Sequence, residues 1–150
     1  MLCNPVFRYR PESRDIAGNR CFVLMPFSAP WSDRIWNRHL RPIIEASGFS
    51  CKRSDDFFAP GIVVEDIWSE IVSADVLVAD LTGRNPNVFY ELGLAHAVGI
   101  PVILLTQDEA SFDVAHWRQI RYADNSDGYD RFQAGVSAAL SFYRDQTSIP

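Results

Sequence analysis

The chain is poor in lysine: Lys52 is the only one among its 14 basic residues. Its 19 acidic residues give the 150-residue chain a formal net charge of -5. A protein that binds nucleic acid through many phosphate contacts needs an excess of basic side chains. The composition therefore argues against a nucleic-acid polymer as a partner, whereas a small anionic ligand would need only a few local donors.

Cysteines and long apolar runs are also scarce. Cys3, Cys21 and Cys51 are an odd number without a close pair, so we expect no disulfide framework and a reducing compartment. No CxxC, HxxxH or HExxH spacing occurs, so we expect neither a metal site nor another cofactor. The N-terminus lacks the apolar core of a signal peptide, and no run of about 20 apolar residues exists. These absences predict a soluble, cytoplasmic protein without a membrane association.

Several common catalytic motifs are missing. The chain has no GxxxxGK[ST] phosphate-binding loop, and no GxGxxG follows its first apolar run. It also lacks the GxSxG turn of serine hydrolases, and no recognisable motif supplies a serine partner for His39, His96 or His116. These absences leave the carboxylates as the side chains most suited to carry chemistry.

One strand–helix–strand unit dominates the middle of the chain. Val76–Ala79 is a short continuous apolar run, as expected of a strand buried on both faces. Asn85 suits the N-cap of a helix and Pro86 its first position, and Gly99 ends the helical pattern. Val102–Leu105 is a second apolar run. The stretch therefore predicts a βαβ unit with a right-handed crossover.

The remaining segments extend this alternation on both sides. The patterns predict strands at 21–25 and 49–53, a last strand within 117–122, and helices after Pro30, at 62–73 and at 127–144. This order predicts an α/β, flavodoxin- or Rossmann-like three-layer sandwich around a five-stranded parallel sheet of order 2-1-3-4-5. An altered edge strand is the alternative. We expect residues 1–20 to be an arm and residues 21–146 to form the domain.

Three carboxylates are candidates for a functional site. Asp80 ends the strand at 76–79, and ligand sites in open α/β sheets form at such strand ends. Glu91 lies in the second turn of the next helix, and Asp66 flanks the buried stripe of the helix before that strand. Paired carboxylates at a sheet edge suit cleavage of a glycosidic bond. The alternative is an Asp that caps a loop and a Glu that faces solvent.

Two loops are expected to face each other across a cleft beside these carboxylates. One is Pro26–Ser32 and the other is Thr82–Asn87, since both follow predicted central strands. The helix N-terminus after Pro30 presents free backbone N–H groups that can bind an anion. The expected substrate-binding residues are Pro26, Phe27, Ser28, Ser32, Arg84 and Asn87.

The pattern DIWxxI-xx-ADVLVADLTGRNPNVFYELGLAHA resembles the nucleoside 2-deoxyribosyltransferase-like superfamily, which includes nucleotide N-glycosidases. It is also similar to the distantly related TIR-like domains that cleave NAD. The resemblance covers Cys21 to about Leu140 and is strongest at YELGLA. It implies that Glu91 is the nucleophile, and that Asp66 and Asp80 hold the sugar and assist departure of the base.

The loop after the first strand departs from the family pattern. The transferases have a glycine- or tyrosine-containing loop there, whereas this chain has Met25-Pro26-Phe27. MPF together with GRNPNVFYELGLAHA resembles a large bacterial subfamily of unassigned substrate. This departure leaves the preference for deoxyribose open.

The resemblance implies an N-glycosidase or N-glycosyltransferase acting on a nucleoside, a nucleotide or NAD. Two alternatives use the same fold: a module that senses a nucleotide without turnover, and a TIR-like module that works by self-assembly. Aromatic residues at Phe57-Phe58 and Trp68, together with the subunit contacts of family relatives, predict a homodimer or higher homo-oligomer.

Overall fold

A computed structural model describes residues 18–27, 29–54, 63–109 and 118–147. The strands are β1 (Arg20–Leu24), β2 (Ser50–Arg53), β3 (Val76–Asp80), β4 (Val102–Thr106) and β5 (Gln119–Arg121). The helices are α1 (Pro30–Ile35), α2 (Arg41–Ala46), α3 (Val63–Ser73), α4 (Pro86–Ala97) and α5 (Ser126–Thr147). From β1 to β4, each strand is followed by a helical segment before the next strand, as the sequence predicts, while residues 110–117, between the last two strands, lie outside the described residues.

The five strands form one parallel sheet in the order β2-β1-β3-β4-β5. The predicted fold is therefore confirmed, including the three central strands. Val23 is in register with Val78, and Val78 is in register with Ile103, so the three apolar runs lie side by side. The carboxyl ends of all five strands consequently meet at one edge of the sheet.

Side chains of the central strands alternate between two apolar cores. Val23 and Val78 belong to the core covered by α1, α2 and α5, whereas Phe22 and Leu77 belong to the core covered by α3 and α4. All five residues of β3 are buried, which explains why its sequence is a continuous apolar run rather than an alternating one. Helices on both faces therefore bury the sheet and leave its carboxyl edge as the place for a site.

The helix predicted after Pro30 has a different local geometry from the one expected. Between α1 and α2 the chain makes a π-helical segment, Trp36–Leu40, and the backbone N–H of Arg41 donates to the Trp36 carbonyl. Pro42 follows directly and has no N–H to continue the α-helical ladder. A single wide turn before a proline accommodates this loss, so the segment stays helical with a changed pitch.

The predicted boundaries of the arm, 1–20, and of the domain, 21–146, stay a prediction. β1 begins at Arg20, while residues 1–17 of the predicted arm lie outside the described residues. The last strand is short and begins at Gln119, and Trp117 lies outside the described residues. Within the described part of the chain, no helix combines the length and apolar character needed to cross a bilayer.

Two glycines in helices allow a test of the local packing. Gly93 lies on the exposed face of α4 with nothing within 4 Å of an added Cβ, so Gly93→Ala should stabilise the protein by about 0.5–1 kcal/mol. An added Cβ at Gly128 in α5 would overlap the backbone carbonyl of Ala123, so Gly128→Ala should destabilise it by about 1–3 kcal/mol. Urea unfolding of both variants measures these changes, and a Gly128→Ala protein as stable as the wild type would contradict this close approach.

Candidate active site

A pocket forms where the carboxyl ends of β1 and β3 meet the start of α4. It brings together the loop after β1 and the first turns of α4, the two segments that the sequence places on opposite sides of a cleft. The lining residues are Met25, Pro26, Phe27, Asn85, Asn87, Val88 and Glu91. The described residues enclose about 20 Å³, which holds a water molecule but not a nucleoside. These lining residues therefore form only the part of the candidate site that lies next to the Glu91 carboxylate.

Glu91 belongs to the buried stripe of α4. Asn85 caps this helix, as predicted, because its side-chain oxygen accepts hydrogen bonds from the N–H groups of Asn87 at 2.9 Å and Val88 at 3.4 Å. The side of the helix that faces the sheet carries Val88, Glu91, Leu92 and Ala95, so helical spacing alone directs Glu91 inward. The residue is only 8% exposed.

The Glu91 carboxylate has no hydrogen bond or ion pair to any group in the part of the chain that the structure describes. Burial therefore acts on it without compensation and raises its pKa to about 7. A glutamate in this condition exchanges its proton near neutral pH, which is the range that acid–base and nucleophilic chemistry requires.

Asp80 is also buried, but its surroundings differ from those of Glu91. It is fully inaccessible at the end of β3, and its carboxylate accepts three hydrogen bonds. Thr82 donates its backbone N–H at 3.0 Å and its hydroxyl at 2.6 Å, and the Tyr122 hydroxyl donates at 2.5 Å. Burial raises the pKa of Asp80, and these hydrogen bonds oppose the rise. All three hydrogen bonds to Asp80 come from the protein itself. A direct role of Asp80 at the sugar therefore stays a prediction.

Asp66 lies on α3 and is half-buried. Asp66 is not one of the described residues that line the Glu91 pocket. Its neighbour Trp68 is buried against Val72 and Leu94, where α3 packs against α4. Trp68 thus stabilises the monomer and is not available as the subunit contact that the sequence suggested, while Phe57 and Phe58 lie outside the described residues.

Of the expected substrate-binding residues, Pro26, Phe27 and Asn87 share the pocket with Glu91. Phe27 is 48% exposed at the pocket, and Tyr90, which precedes the glutamate, is 56% exposed. An exposed aromatic ring such as that of Phe27 at the rim of a pocket offers a flat apolar surface to a ligand.

The other expected substrate-binding residues lie apart from this pocket or outside the description. Arg84 is exposed and has a left-handed backbone with φ of 53°. Ser32 is fully buried, and its hydroxyl has no hydrogen-bond partner among the described groups. Ser28 lies outside the described residues.

Several residues near the carboxylates were not among the predicted site residues. Asn85, which was predicted as a helix cap within one of the two cleft loops, lines the pocket together with Met25 and Val88. Tyr122 and Gln107 meet at 3.1 Å beside Asp80, although they follow different strands. Because residues at the carboxyl ends of parallel strands converge, Gln107 and Tyr122 could have been predicted to meet. The uncertain position of the last strand prevented this prediction.

A larger cavity of about 570 Å³ lies elsewhere, beside β4 and α5. Apolar side chains such as Ile100, Ile103 and Ile120 form much of its lining, and it contains none of the predicted site residues. In the described part of the chain, no group of three or more His, Cys, Asp or Glu residues is arranged to hold a metal ion. The Glu91 pocket remains the candidate site because it holds the perturbed carboxylate.

Comparison with solved structures places the fold among known enzymes. The chain is similar to a 2-deoxyribosyltransferase of Leishmania mexicana, with 18% identity over 74% of this chain and 76% of that one and a TM-score of 0.54. It is similar to a 2-deoxyribosyltransferase of Bacillus psychrosaccharolyticus, with 12% identity, 87% and 92% coverage and a TM-score of 0.59. A CMP N-glycosidase of Clostridium botulinum matches with 19% identity, 79% and 98% coverage and a TM-score of 0.56.

No protein-family model matches the chain, and no protein of curated function is significantly similar to it in sequence. These structural matches establish a shared fold. At identities this low they do not establish a shared activity, which has to be argued from the site. The matched structures nevertheless agree with the resemblance carried by the YELGLA segment. The chain has the fold of the nucleoside 2-deoxyribosyltransferase-like proteins.

Proposed function

We propose that this protein breaks the bond between base and sugar in a nucleoside, a nucleotide or NAD, with Glu91 as the nucleophile. The observation that carries the proposal is the buried Glu91 carboxylate, which has no partner in the described part of the chain and lines a pocket at the carboxyl edge of the sheet. A nucleophile needs such a free oxygen. A glutamate kept for stability would be expected to have a hydrogen-bonded or charged partner.

The proposed reaction has two steps. A Glu91 oxygen bonds to the anomeric carbon of the sugar as the carbon–nitrogen bond breaks and the base leaves with its electron pair. The base of a nucleoside or nucleotide takes up a proton from Asp66 or water, whereas the nicotinamide of NAD leaves as a neutral molecule and needs none. Water then adds its hydroxyl group to the anomeric carbon, gives up its other proton and restores the Glu91 carboxylate, which makes the protein a hydrolase. If a second base attacks instead, the protein is a transferase.

Asp66 and Asp80 support Glu91 in this proposal. The family resemblance assigns Asp66 to the sugar or to proton transfer, and its position on a helix packed against α4 is compatible with that role. The full burial of Asp80 favours an indirect role, in which the carboxylate organises the loop after β3.

The exposed aromatic residues suggest how the base is held. Phe27 lines the pocket next to Glu91 and keeps about half of its surface in solvent. A flat base can stack on such a ring, and base–aromatic stacking contributes about 1–3 kcal/mol. The MPF segment would then bind the base where other members of the superfamily use a different loop.

Base release by the purified protein tests the proposed function. Nucleosides, 5′-nucleotides and NAD are incubated with wild type and with Glu91→Gln, and free base is measured by chromatography. Glu91→Gln keeps the shape but removes the nucleophile, so the rate should fall by about 10³-fold or more. The control is Glu45→Gln, which changes an exposed glutamate on α2 and should leave the rate unchanged. Equal rates for wild type and Glu91→Gln would contradict the mechanism, and binding without release would favour the sensing module.

The pH dependence follows from the pKa of Glu91. The nucleophile must be ionised, so kcat/KM should rise with pH and level off above a midpoint near 7. With that pKa the ionised fraction increases about tenfold between pH 6 and pH 8. Steady-state kinetics across this range measure the profile, and a flat profile would show that Glu91 does not limit the reaction.

The free energy of unfolding should fall as pH rises, whereas kcat/KM should rise. The unfolded chain loses the Glu91 proton near pH 4.5 and the folded chain near pH 7. Between these values the folded state holds the extra proton, so the free energy of unfolding falls as pH rises. Glu91→Gln removes this penalty and should be more stable than wild type by about 1–3 kcal/mol at pH 8, with a smaller difference at pH 5. Urea unfolding at both pH values checks this, and an equal difference at both would indicate an ordinary pKa.

Phe27 and Phe142 form a matched pair of exposed phenylalanines, 48% and 57% accessible. If Phe27 stacks on the base, Phe27→Leu should raise KM by about 5–100-fold, because stacking is lost while an apolar side chain remains. Phe142→Leu on α5 should leave KM unchanged. Equal KM values in the two variants would place base recognition elsewhere.

A further inference from the structure

A chain of hydrogen bonds connects Tyr122, next to the edge strand β5, to the loop that leads into the Glu91 pocket. Its first member is Tyr122, which follows β5 and donates its hydroxyl proton to Asp80 Oδ2 at 2.5 Å across β4. Asp80 Oδ1 then accepts from Thr82, the second residue of the loop that joins β3 to α4. Tyr122 therefore acts on that loop although it lies 42 residues from Asp80 in the sequence.

The Tyr122 hydroxyl is held in one place by its own surroundings. The residue is buried, and its ring packs on Phe132 of α5 with 4.6 Å between ring centroids. Its backbone N–H donates to the Thr106 carbonyl, and the Gln107 side-chain amide donates to its oxygen. Burial and the Asp80 charge raise the pKa of Tyr122, so the phenol stays protonated and remains a donor.

The loop between β3 and α4 needs such anchoring. Gly83 and Arg84 are consecutive left-handed residues, with φ of 77° and 53°, and a non-glycine residue adopts this conformation at a cost. The loop is held from two directions. Asp80 binds Thr82, and Asp108 accepts the Gly83 N–H at 2.6 Å. Thr82 also accepts the Gln107 N–H through its hydroxyl oxygen.

The anchored loop leads directly into the pocket. Asn85 ends it, caps α4 and lines the pocket together with Asn87 and Glu91. A change in the conformation of the loop would move these asparagines relative to Glu91. Even a displacement of about 1 Å in a substrate-positioning group can lower a rate strongly.

We propose that Tyr122 is a positioning residue for the Glu91 pocket. Its hydroxyl holds Asp80, Asp80 holds Thr82, and the fixed loop sets the places of Asn85 and Asn87. This inference rests on the proposed function for its kinetic consequence only. The mechanical connection from Tyr122 to Asn87 can be tested without any substrate.

The first test is amide hydrogen exchange in Tyr122→Phe. The variant keeps the packed ring but removes the donor to a buried carboxylate, so the Thr82 and Asn87 amides should exchange about tenfold faster or more. The Val78 amide in β3 reports whether the whole protein is destabilised, and the loop effect is counted relative to it. Unchanged exchange at Thr82, or faster exchange at Thr82 without a change at Asn87, would overturn the proposal.

Tyr129→Phe is the matched control. It removes another tyrosine hydroxyl that donates to an aspartate, Asp124, which is ion-paired with Arg34 of α1 instead of bonded to the loop. The exchange of Thr82 and Asn87 should be the same in this variant as in wild type. If Tyr122→Phe does not fold, Thr82→Val breaks the same chain of hydrogen bonds one residue closer to the pocket and must give the same result at Asn87.

The second test is kinetic. Tyr122→Phe should raise KM about fivefold or more relative to wild type and Tyr129→Phe, while the pH midpoint of kcat/KM stays that of wild type because Glu91 itself is untouched. In an Asp80→Ala background, Tyr122→Phe should have no further effect on KM, since the alanine has no polar atom to link Tyr122 to Thr82. An unchanged KM in the single variant, or an additive rise in the double variant, would overturn the proposal. If the wild type releases no base, the proposed function fails, and hydrogen exchange alone decides whether Tyr122 positions the pocket.

Discussion

The fully buried carboxylate of Asp80 is the constraint on which the carboxyl edge of this sheet depends. A carboxylate removed from water must be hydrogen-bonded, and Asp80 meets this requirement with Thr82 on one oxygen and Tyr122 on the other. Because Thr82 lies in the loop to α4 and Tyr122 directly follows β5, satisfying one buried group links β3, β5 and the loop. Under our proposal, this arrangement also positions the pocket that holds Glu91.

The two buried carboxylates of the site illustrate opposite outcomes of burial. Asp80 accepts three hydrogen bonds from its neighbours. Glu91 has no hydrogen bond to the described residues, and burial raises its pKa to about 7. Folding supplies the free energy that keeps Glu91 in this unfavourable environment, since the apolar face of α4 can bury only if Glu91 is buried with it. A destabilised group at a pocket is typical of a functional site.

The comparisons and the site geometry contribute different kinds of information. Solved structures at 12–19% identity establish that the chain shares the fold of 2-deoxyribosyltransferases and a CMP N-glycosidase. The position of Glu91 in a pocket with Phe27 and Asn87 is the basis on which we propose related chemistry for this protein. The MPF segment contributes Met25, Pro26 and Phe27 to that pocket, so under the proposed function it is the segment expected to set any difference in substrate.

The sequence by itself determined the parallel sheet and the cap of α4, because these depend on local patterns. Continuous apolar runs identify β1, β3 and β4, and Asn85-Pro86 marks the start of the helix. The sequence also predicted that Glu91 points toward the core, since residues three or four positions apart share one face of a helix. Only the tertiary structure decided that Asp80 is sealed by Tyr122 and that Trp68 is an internal residue. The partners of a buried polar or aromatic side chain come from distant segments, and which segments meet is set by packing across the whole sheet.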